Sequence, residues 1–268
     1  MNSDWIRVSK TNPCPICNKP DWCMVSKDGT AVICPRVPSE KSLGDAGWLH
    51  RPSGEMFAPP VPALPVQEES NIDWEAGVTK CEQAMAPHQW EFMANDLQLP
   101  QDSLRAFRMG WSQAKGAYTF PMHDASGKVI GVRLRYPNGR KLSVKGSRSG
   151  LFMHGADMSR GLLLVAVGPT DAAALHSLGY YVVGRPSCNG GTKYLYELVN
   201  WKHQIVLIPD KDKPGIDGAE SVANMLKVKT KQVKIVEPRG VCTDAKEWVV
   251  GGLRREQLDI LIGQASNV

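Results

Sequence analysis

The chain has 268 residues, which is enough for one large domain or for two to three small ones. Hydrophobic residues make up 42% and charged residues 22%, so the composition excludes a disordered chain and predicts a buried core. No apolar run reaches eighteen residues, and the N-terminus lacks the apolar stretch of a signal peptide. These features predict a cytoplasmic protein with no membrane partner.

Four of the seven cysteines lie within residues 14–34, which in a reducing compartment indicates a metal site rather than a disulfide framework. Cys14 and Cys17 have the spacing of a zinc knuckle, and Cys23 and Cys34 stand at the two ends of a predicted hairpin. Four thiolates would close a tetrahedral structural zinc site, with His50 as the alternative to Cys23 as fourth ligand. Free core cysteines beside an accidental CxxC are the other interpretation.

The chain order indicates three parts. Residues 1–51 form a compact cysteine-containing unit, and residues 52–70 contain five prolines, which predict a semi-extended linker because proline removes a backbone donor. The body, residues 71–268, begins with helices after Pro87 and Pro100, where apolar residues recur at helical spacing.

The body then changes to strands with a two-residue period between residues 117 and 144. In this region, residues 125–150 contain no acid and seven basic side chains: Lys128, Arg133, Arg135, Arg140, Lys141, Lys145 and Arg148. The alternation places Arg133 and Arg135 on one face of a strand, with Lys141 and Lys145 on the next. A local basic field attracts phosphate groups, whereas a solvated basic face is the ordinary alternative.

From residue 161, strands alternate with helices, which predicts a parallel sheet covered on both sides. Asp210 and Asp212 follow the strand predicted at 203–208, and Asp171 follows the strand at 162–167. Residues beyond the carboxyl ends of parallel strands line a ligand crevice, and oxygen ligands of this kind suit Mg²⁺ or Mn²⁺. A surface turn or a helix cap is the alternative for an isolated Asp-x-Asp.

Several segments resemble a known family. VGPTD (167–171) and PDKDKPGIDGAE (209–220) are similar to the two signatures of the Toprim domain, which primases and topoisomerases share. The basic residues upstream resemble the subdomain that precedes Toprim in bacterial primases of the DnaG type and in phage primase–helicases. CTDAKEW (242–248) resembles an Asp-Ala-Asn motif of phage primases. An N-terminal zinc ribbon completes the order of parts expected of a primase.

The resemblance implies an α/β chain in four parts: a small β zinc ribbon (1–51), the linker (52–70), a mixed α+β basic subdomain (71–160), and a Rossmann-like Toprim parallel sheet (161–268). It implies a DNA primase that makes short primers from nucleoside triphosphates on single-stranded DNA. Asp171, Asp210 and Asp212 would hold magnesium or manganese. Five basic residues would bind the phosphates of the template and of the nucleotide: Arg133, Arg135, Lys141, Lys145 and Arg148.

The resemblance also assigns template recognition to the zinc ribbon, aided by aromatic surface such as Trp22 or Trp48. For Trp22 we favour a place in the ribbon core over base stacking. The chain contains no GxxxxGK[ST] sequence, so a replicative helicase partner is expected as a separate chain or as a missing C-terminal part.

One departure concerns Val167, because the Toprim family has a glutamate there that is thought to ligate metal or to act as a general acid–base. Valine can do neither, so the chain is an inactivated variant, a natural divergence, or a protein in which another group substitutes. Two further functions stay open: a non-catalytic nucleic-acid-binding protein, and a Toprim nuclease or topoisomerase. The topoisomerase needs a nucleophilic tyrosine in a separate domain, for which the chain has no room.

Overall fold

The structure, a computed structural model, describes residues 5–51, 72–155 and 161–268. Contacts between Cα atoms divide the chain into two units, Met1–Ser70 and Asn71–Val268. The predicted proline-rich linker, residues 52–70, lies outside the described residues, and so does residue 160, the predicted end of the basic subdomain.

The first unit contains one antiparallel sheet of five strands, in the order β1-β2-β3-β5-β4. They are β1 (Trp5–Arg7), β2 (Met24–Ser26), β3 (Val32–Cys34), β4 (Lys41–Ser42) and β5 (Trp48–His50). The hairpin predicted between Cys23 and Cys34 is confirmed as β2 and β3, in which Met24 lies opposite Ile33. Strands of two or three residues bury little apolar surface, so a unit of this size requires a further constraint such as a metal.

The second unit begins with three helices: α1 (Trp74–Gln83), α2 (Pro87–Leu97) and α3 (Gln101–Ala106). Helix α2 is confirmed, with Pro87 in its first turn and with Trp90, Met93 and Leu97 buried. Helix α1 was not predicted, because Val78 is its one buried residue and its sequence therefore lacks an apolar stripe. No helix in the described ranges is long and apolar enough to cross a membrane.

A four-stranded antiparallel sheet follows, which we call the basic sheet. Its strands pair in chain order: β6 (Gly110–Ser112), β7 (Ala117–His123), β8 (Val129–Arg135) and β9 (Lys141–Ser143). The predicted alternation along β8 is confirmed, since Val132 and Leu134 are buried while Arg133 and Arg135 are half-buried. Arg135 lies opposite Lys141 across the β8–β9 pair, so two cations share one position of the sheet.

The last sheet has the order β10-β12-β11-β13-β14. Its strands are β10 (Phe152–Met153), β11 (Leu162–Val167), β12 (Val182–Arg185), β13 (Gln204–Leu207) and β14 (Val233–Ile235). The pairs among β11, β12, β13 and β14 are parallel, as predicted, whereas β10 was not predicted and adds an antiparallel edge.

Helices cover both faces of this parallel sheet, as the sequence predicted. They are α4 (Pro169–Ser177), α5 (Thr192–Leu198), α6 (Lys213–Leu226), α7 (Ala245–Val250) and α8 (Arg255–Gln264). Leu164 and Ala166 of β11 belong to one buried cluster with residues of α4, α7 and α8. Leu163 and Val165 belong to another, with residues of α5 and α6. The strand is therefore buried on both sides, which explains its continuous apolar sequence.

A close backbone approach fixes the turn between β11 and α4. A Cβ atom at Gly184 of β12 would lie 2.5 Å from the carbonyl oxygen of Gly168 and 3.2 Å from the Cβ of Ala172. Gly168 itself has a φ of 93°, in the region that favours glycine. The two glycines bring the start of α4, and with it Asp171, close to the end of β12.

Candidate metal centre and acidic crevice

The sulfur atoms of Cys14, Cys17, Cys23 and Cys34 converge on one point. The Cys17–Cys23 and Cys23–Cys34 distances are 3.6 Å and 3.8 Å, and all four Sγ atoms lie within 4.8 Å of one another. Tetrahedral zinc with Zn–S bonds of about 2.3 Å requires sulfurs about 3.8 Å apart, so the four residues fit the ion. The Nε2 of His50 instead lies 3.0 Å from the carbonyl oxygen of Val37, which leaves Cys23 as the fourth ligand.

The knuckle backbone prepares these sulfurs for a cation. The Cys14 N–H donates to the carbonyl of Lys19, and the Asn18 N–H donates to the carbonyl of Cys14, with Asn18 at a φ of 54°. Burial raises the pKa of the Cys14 and Cys23 thiols, so a bound cation is needed to keep them deprotonated at neutral pH. Burial acts the same way on Cys17, but the Lys19 backbone N–H and the hydrogen bonds with the other three cysteines together outweigh it and lower the pKa of Cys17 to about 7.

Arg36 is a part of this centre that the sequence reasoning did not include. Its Nη1 lies 3.9 Å from the Sγ of Cys17 and 3.7 Å from the Sγ of Cys23, and it donates to the backbone carbonyl of Asp21 at 2.8 Å. The guanidinium also pairs with the Asp21 carboxylate. Its charge offsets that of the thiolates, and its position two residues after Cys34 is the signal that could have identified it.

The prediction that Trp22 belongs to the ribbon core is wrong. Its side chain is 73% exposed, and its backbone has a φ of 64°. Because Arg36 holds Asp21 on one side and Cys23 is a buried ligand on the other, the intervening residue projects outward. Trp48 is half-buried in β5.

The structure brings two of the three predicted acids together at the carboxyl ends of the parallel strands. Asp171, in the first turn of α4, is 7% exposed, and Asp210 follows β13. Burial, reinforced by the negative charges of Asp244 and Asp210, raises the pKa of Asp171 to about 7. Burial and the charges of Asp244 and Asp212 raise the pKa of Asp210 to about 6. We call the space around Asp171, Asp210 and Asp244 the acidic crevice.

Asp244 belongs to the CTDAKEW segment (242–248), but it is not among the site residues that the sequence predicts. It is the N-cap of α7, where one carboxylate oxygen accepts the Glu247 N–H at 2.6 Å. The Lys211 N–H donates to the carbonyl of Thr243 at 2.7 Å, so the loops that carry Asp210 and Asp244 are joined. Two residues after Asp244, the backbone N–H of Lys246 donates to the Asp171 carboxylate at 2.9 Å, which joins α7 to Asp171 as well.

Asp212 has the structural role of a helix cap, because one of its oxygens accepts the Gly215 N–H at 2.7 Å at the start of α6. It still adds negative charge next to Asp210. In the described part of the chain, the cysteines are the only group of three or more His, Cys, Asp or Glu side chains whose ligand atoms all lie within 4.8 Å. The crevice acids are therefore neighbours without forming a closed cage.

Val167 ends β11 and lies opposite Arg185 in the parallel register with β12. Both line a cavity of about 10 Å³ together with Cys188 and Gly215. Arg185 is only 3% exposed and donates to the carbonyl of Gly190 at 3.1 Å. Burial lowers the pKa of this guanidinium to about 10. A buried cation thus lies beside the position where the resembling family has glutamate, and sequence reasoning missed it because the contact crosses two strands.

Lys141 of the basic sheet acts on the crevice electrostatically, because its positive charge opposes the rise in the pKa of both Asp171 and Asp210. Arg133 is half-buried and donates to the carbonyl of Pro186 at 3.2 Å. Arg135 forms an ion pair with Asp96 at 3.2 Å. The other two predicted phosphate-binding residues are an exposed Lys145 and a half-buried Arg148.

We expect Cys17→Ser to remove zinc and to unfold the first unit, because three thiolates leave the tetrahedral site open and the short strands cannot hold the unit alone. Zinc content by elemental analysis should fall from about one ion per chain. Amide exchange should become fast in residues 5–51 and stay slow in residues 161–268. Cys242→Ser, at a cysteine outside the cluster, is the matched control. A metal-free parent with a protected first unit would contradict the assignment.

We expect the crevice acids to make stability depend on pH. The pKa of Asp171 is raised from 3.8 to about 7 on folding, so the folded state binds the proton more tightly. This contribution to stability is fully present below about pH 4 and is lost as pH rises through 7. Asp171→Asn has no carboxyl group to titrate at this position, so it does not lose this stability as the pH rises. The free energy of unfolding of the variant minus that of the parent should therefore increase between pH 4.5 and 8.

Urea unfolding without added Mg²⁺ measures this difference, which should be on the order of 1 kcal/mol for each unit of pKa shift. Zinc-site titration is common to parent and variant and cancels in the comparison. A difference that stays constant across the pH range would show that Asp171 is not buried with a raised pKa.

No protein-family model and no curated protein sequence matches this chain. Solved structures do match it. The E. coli primase catalytic core is 16% identical and covers 71% of this chain and 78% of its own, with a TM-score of 0.53. The RNA polymerase domain of Mycobacterium tuberculosis primase DnaG is 14% identical, with coverages of 72% and 82% and a TM-score of 0.55. A DnaG primase catalytic domain bound to single-stranded DNA is 16% identical, with coverages of 72% and 80% and a TM-score of 0.53.

At these identities the similarity concerns the fold. In this chain a mixed region is followed by a largely parallel sheet, and the four cysteines lie in the first unit. The chain therefore has the fold of a primase catalytic core, with a four-cysteine cluster that fits an N-terminal zinc ribbon.

Proposed function

We propose that this protein is a DNA primase, which joins nucleoside triphosphates into short primers on a single-stranded DNA template. The observation that carries the proposal is the meeting of opposite charges at the carboxyl edge of the parallel sheet. Asp171 and Asp210 lie there together, and Lys141 of the basic sheet acts on both. Similarity to primase catalytic cores, one of them bound to single-stranded DNA, supports the proposal.

The proposed reaction is attack of a 3′-hydroxyl on the α-phosphate of the incoming nucleotide. A new oxygen–phosphorus bond forms, the bond to the departing pyrophosphate breaks, and the hydroxyl proton passes to water, since Val167 cannot accept it. Mg²⁺ or Mn²⁺, when bound, would stabilise the attacking and leaving oxygens. Asp171 and Asp210 are the residues best placed to hold such an ion. Asp212 and Asp244 each offer one carboxylate oxygen, because the other oxygen caps a helix.

The electrostatics of the crevice fit a divalent cation. Carboxylates with a pKa raised by burial and by each other are destabilised in their charged form, and a cation between them relieves that repulsion. The acids do not form a closed cage, which suits Mg²⁺, since this ion usually completes its shell with water and substrate phosphates. We therefore propose weak metal binding in the absence of nucleotide.

The basic sheet would hold the phosphates of the template and of the incoming nucleotide. Lys141 is the residue whose charge reaches the crevice, and Arg135 is its direct neighbour across β8 and β9. Arg133 supports the same region by fixing the Pro186 carbonyl, while Lys145 and Arg148 extend the positive field. The zinc ribbon would contact the template, with the exposed Trp22 as a surface on which a base can stack.

Val167 favours one alternative, a non-catalytic protein that binds nucleic acid with the same fold. Without a glutamate at this position, the crevice lacks one carboxylate that the resembling family uses. Arg185 also places a buried positive charge beside it. Primer synthesis and DNA binding therefore have to be measured separately.

We expect Asp210→Asn to abolish primer synthesis without weakening DNA binding, because the change removes a metal ligand and leaves the basic sheet intact. The assay is extension of labelled nucleotides on single-stranded DNA with Mg²⁺ or Mn²⁺, using the zinc-loaded full chain. Asp217→Asn is the matched control, since Asp217 is exposed and pairs with Lys213 outside the crevice. Full synthesis by Asp210→Asn would remove Asp210 from the mechanism.

We expect Val167→Glu to increase primer synthesis by at least about 100-fold, the lower end of what a general acid–base group contributes. The new carboxylate would lie beside Arg185, which favours its ionised form. Val167→Gln has nearly the same shape without the charge and should give no gain. Strong synthesis by the parent and no gain from Val167→Glu would show that position 167 is not catalytic. No synthesis by either, with DNA binding intact, would favour the non-catalytic alternative.

A further inference from the structure

A second concentration of positive charge lies at the opposite edge of the parallel sheet, in two segments that precede β13 and β14. Residues 196–202 and 227–231 together contain four lysines and a single acid, Glu197. We call these two segments the distal patch. The acidic crevice adjoins the carboxyl ends of the strands, whereas the distal patch adjoins their amino ends, so neither the crevice nor the basic sheet includes it.

Hydrogen bonds hold the two segments side by side. The Thr230 hydroxyl donates to the carbonyl of His203 at 2.7 Å, and the Ile205 N–H donates to the carbonyl of Gln232 at 2.7 Å. Lys229 reaches across to α5, where its Nζ lies 4.3 Å from the centre of the Tyr196 ring. The lysines and aromatic rings therefore form one surface on a rigid support.

Two large apolar side chains of this surface are exposed. Trp201 is 75% exposed and Val228 is 79% exposed. The Lys202 Nζ lies 5.4 Å from the centre of the Trp201 ring, so a cation accompanies the indole. Glu197 is paired with Lys193, one helical turn earlier, at 3.9 Å, so the four lysines of the patch are its excess charge. An exposed indole among lysines has no role in the packing of the sheet.

We propose that the distal patch binds single-stranded nucleic acid, with a base stacked on Trp201 and phosphates held by Lys202, Lys229 and Lys231. Proteins that bind single strands without sequence preference combine a positive track with aromatic rings on which bases stack. An acidic protein segment would satisfy the lysines, but it would leave the indole without a flat partner. Charge and exposed ring together favour nucleic acid.

The nucleotides bound here would not be the ones being copied at that moment. β13 alone spans about 13 Å at 3.3 Å per residue, so occupying both the crevice and the distal patch requires a longer oligonucleotide than the crevice alone. The distal patch would then extend the contact of the protein with single-stranded DNA. This inference does not depend on primer synthesis, because it concerns binding at a separate surface.

The test measures, by fluorescence anisotropy, the affinity of the zinc-loaded full chain for oligo(dT) of about 8 and about 30 nucleotides. The two lengths are chosen because a single-strand site spans roughly 4–16 nucleotides, so only the longer one can reach a second site. We expect Trp201→Ala to weaken binding of the longer oligonucleotide by about fivefold or more, the effect of losing one stacked base. Lys202→Ala combined with Lys231→Ala should lower the salt slope by about 1.4. The short oligonucleotide should be affected less. Lys115→Ala, at an exposed lysine in another turn, is the matched control.

Binding needs neither metal nor nucleotide, so failure here is distinct from failure of primer synthesis. Unchanged affinity and salt slope in both variants, with the fold intact by circular dichroism, would overturn the proposal. Binding of a polyglutamate peptide that depends on Trp201 and Lys231, with no such dependence for oligo(dT), would overturn it in favour of an acidic protein partner. Cross-linking of the longer oligonucleotide to the peptide that contains Trp201 would support it directly.

Discussion

The repulsion between buried carboxylates at the carboxyl edge of the parallel sheet is the constraint that organises the second unit. Asp171 and Asp210 are held there by short turns after β11 and β13, and Asp244 comes from the cap of α7. The convergence also requires a close backbone contact between Gly168 and Gly184. A side chain at position 184 would prevent it, because its Cβ atom would lie 2.5 Å from the Gly168 carbonyl oxygen. Such an arrangement is stable when protons or cations neutralise it, and Lys141 supplies part of that neutralisation.

The first unit solves a different physical problem. Its strands have two or three residues, and its described residues form two small buried clusters, one of six residues, three of which are cysteines, and one of three. Hydrophobic burial on this scale is small against the conformational entropy of the chain, and an ion held by the four sulfurs would supply the difference. Arg36 places a positive charge beside the clustered sulfurs of the first unit. Lys141 has the same electrostatic effect on the clustered carboxylates of the second unit.

Position 167 links fold and function. A valine at the mouth of β11 keeps the strand apolar to its end, and the buried Arg185 beside it is held by the Gly190 carbonyl and the Thr192 hydroxyl. A fixed cation therefore lies beside the position where the resembling family has an anion and this chain has a neutral valine. In the proposed function, this balance of charge would decide between an active polymerase and a protein that only binds nucleic acid.

The sequence by itself determined the cysteine cluster as a candidate metal site, the strand–helix alternation, and the location of Asp171 and Asp210 after strands, because these depend on local spacing and on the periods of helix and strand. It left the fourth ligand open between Cys23 and His50, and the contact of His50 with the Val37 carbonyl decides for Cys23. It did not determine helix α1, whose stability comes from neighbours rather than from an apolar stripe. Nor did it reveal Asp244 and Arg185 as members of the site, or the outward direction of Trp22. These depend on which loops and strands become adjacent, and only tertiary packing decides that.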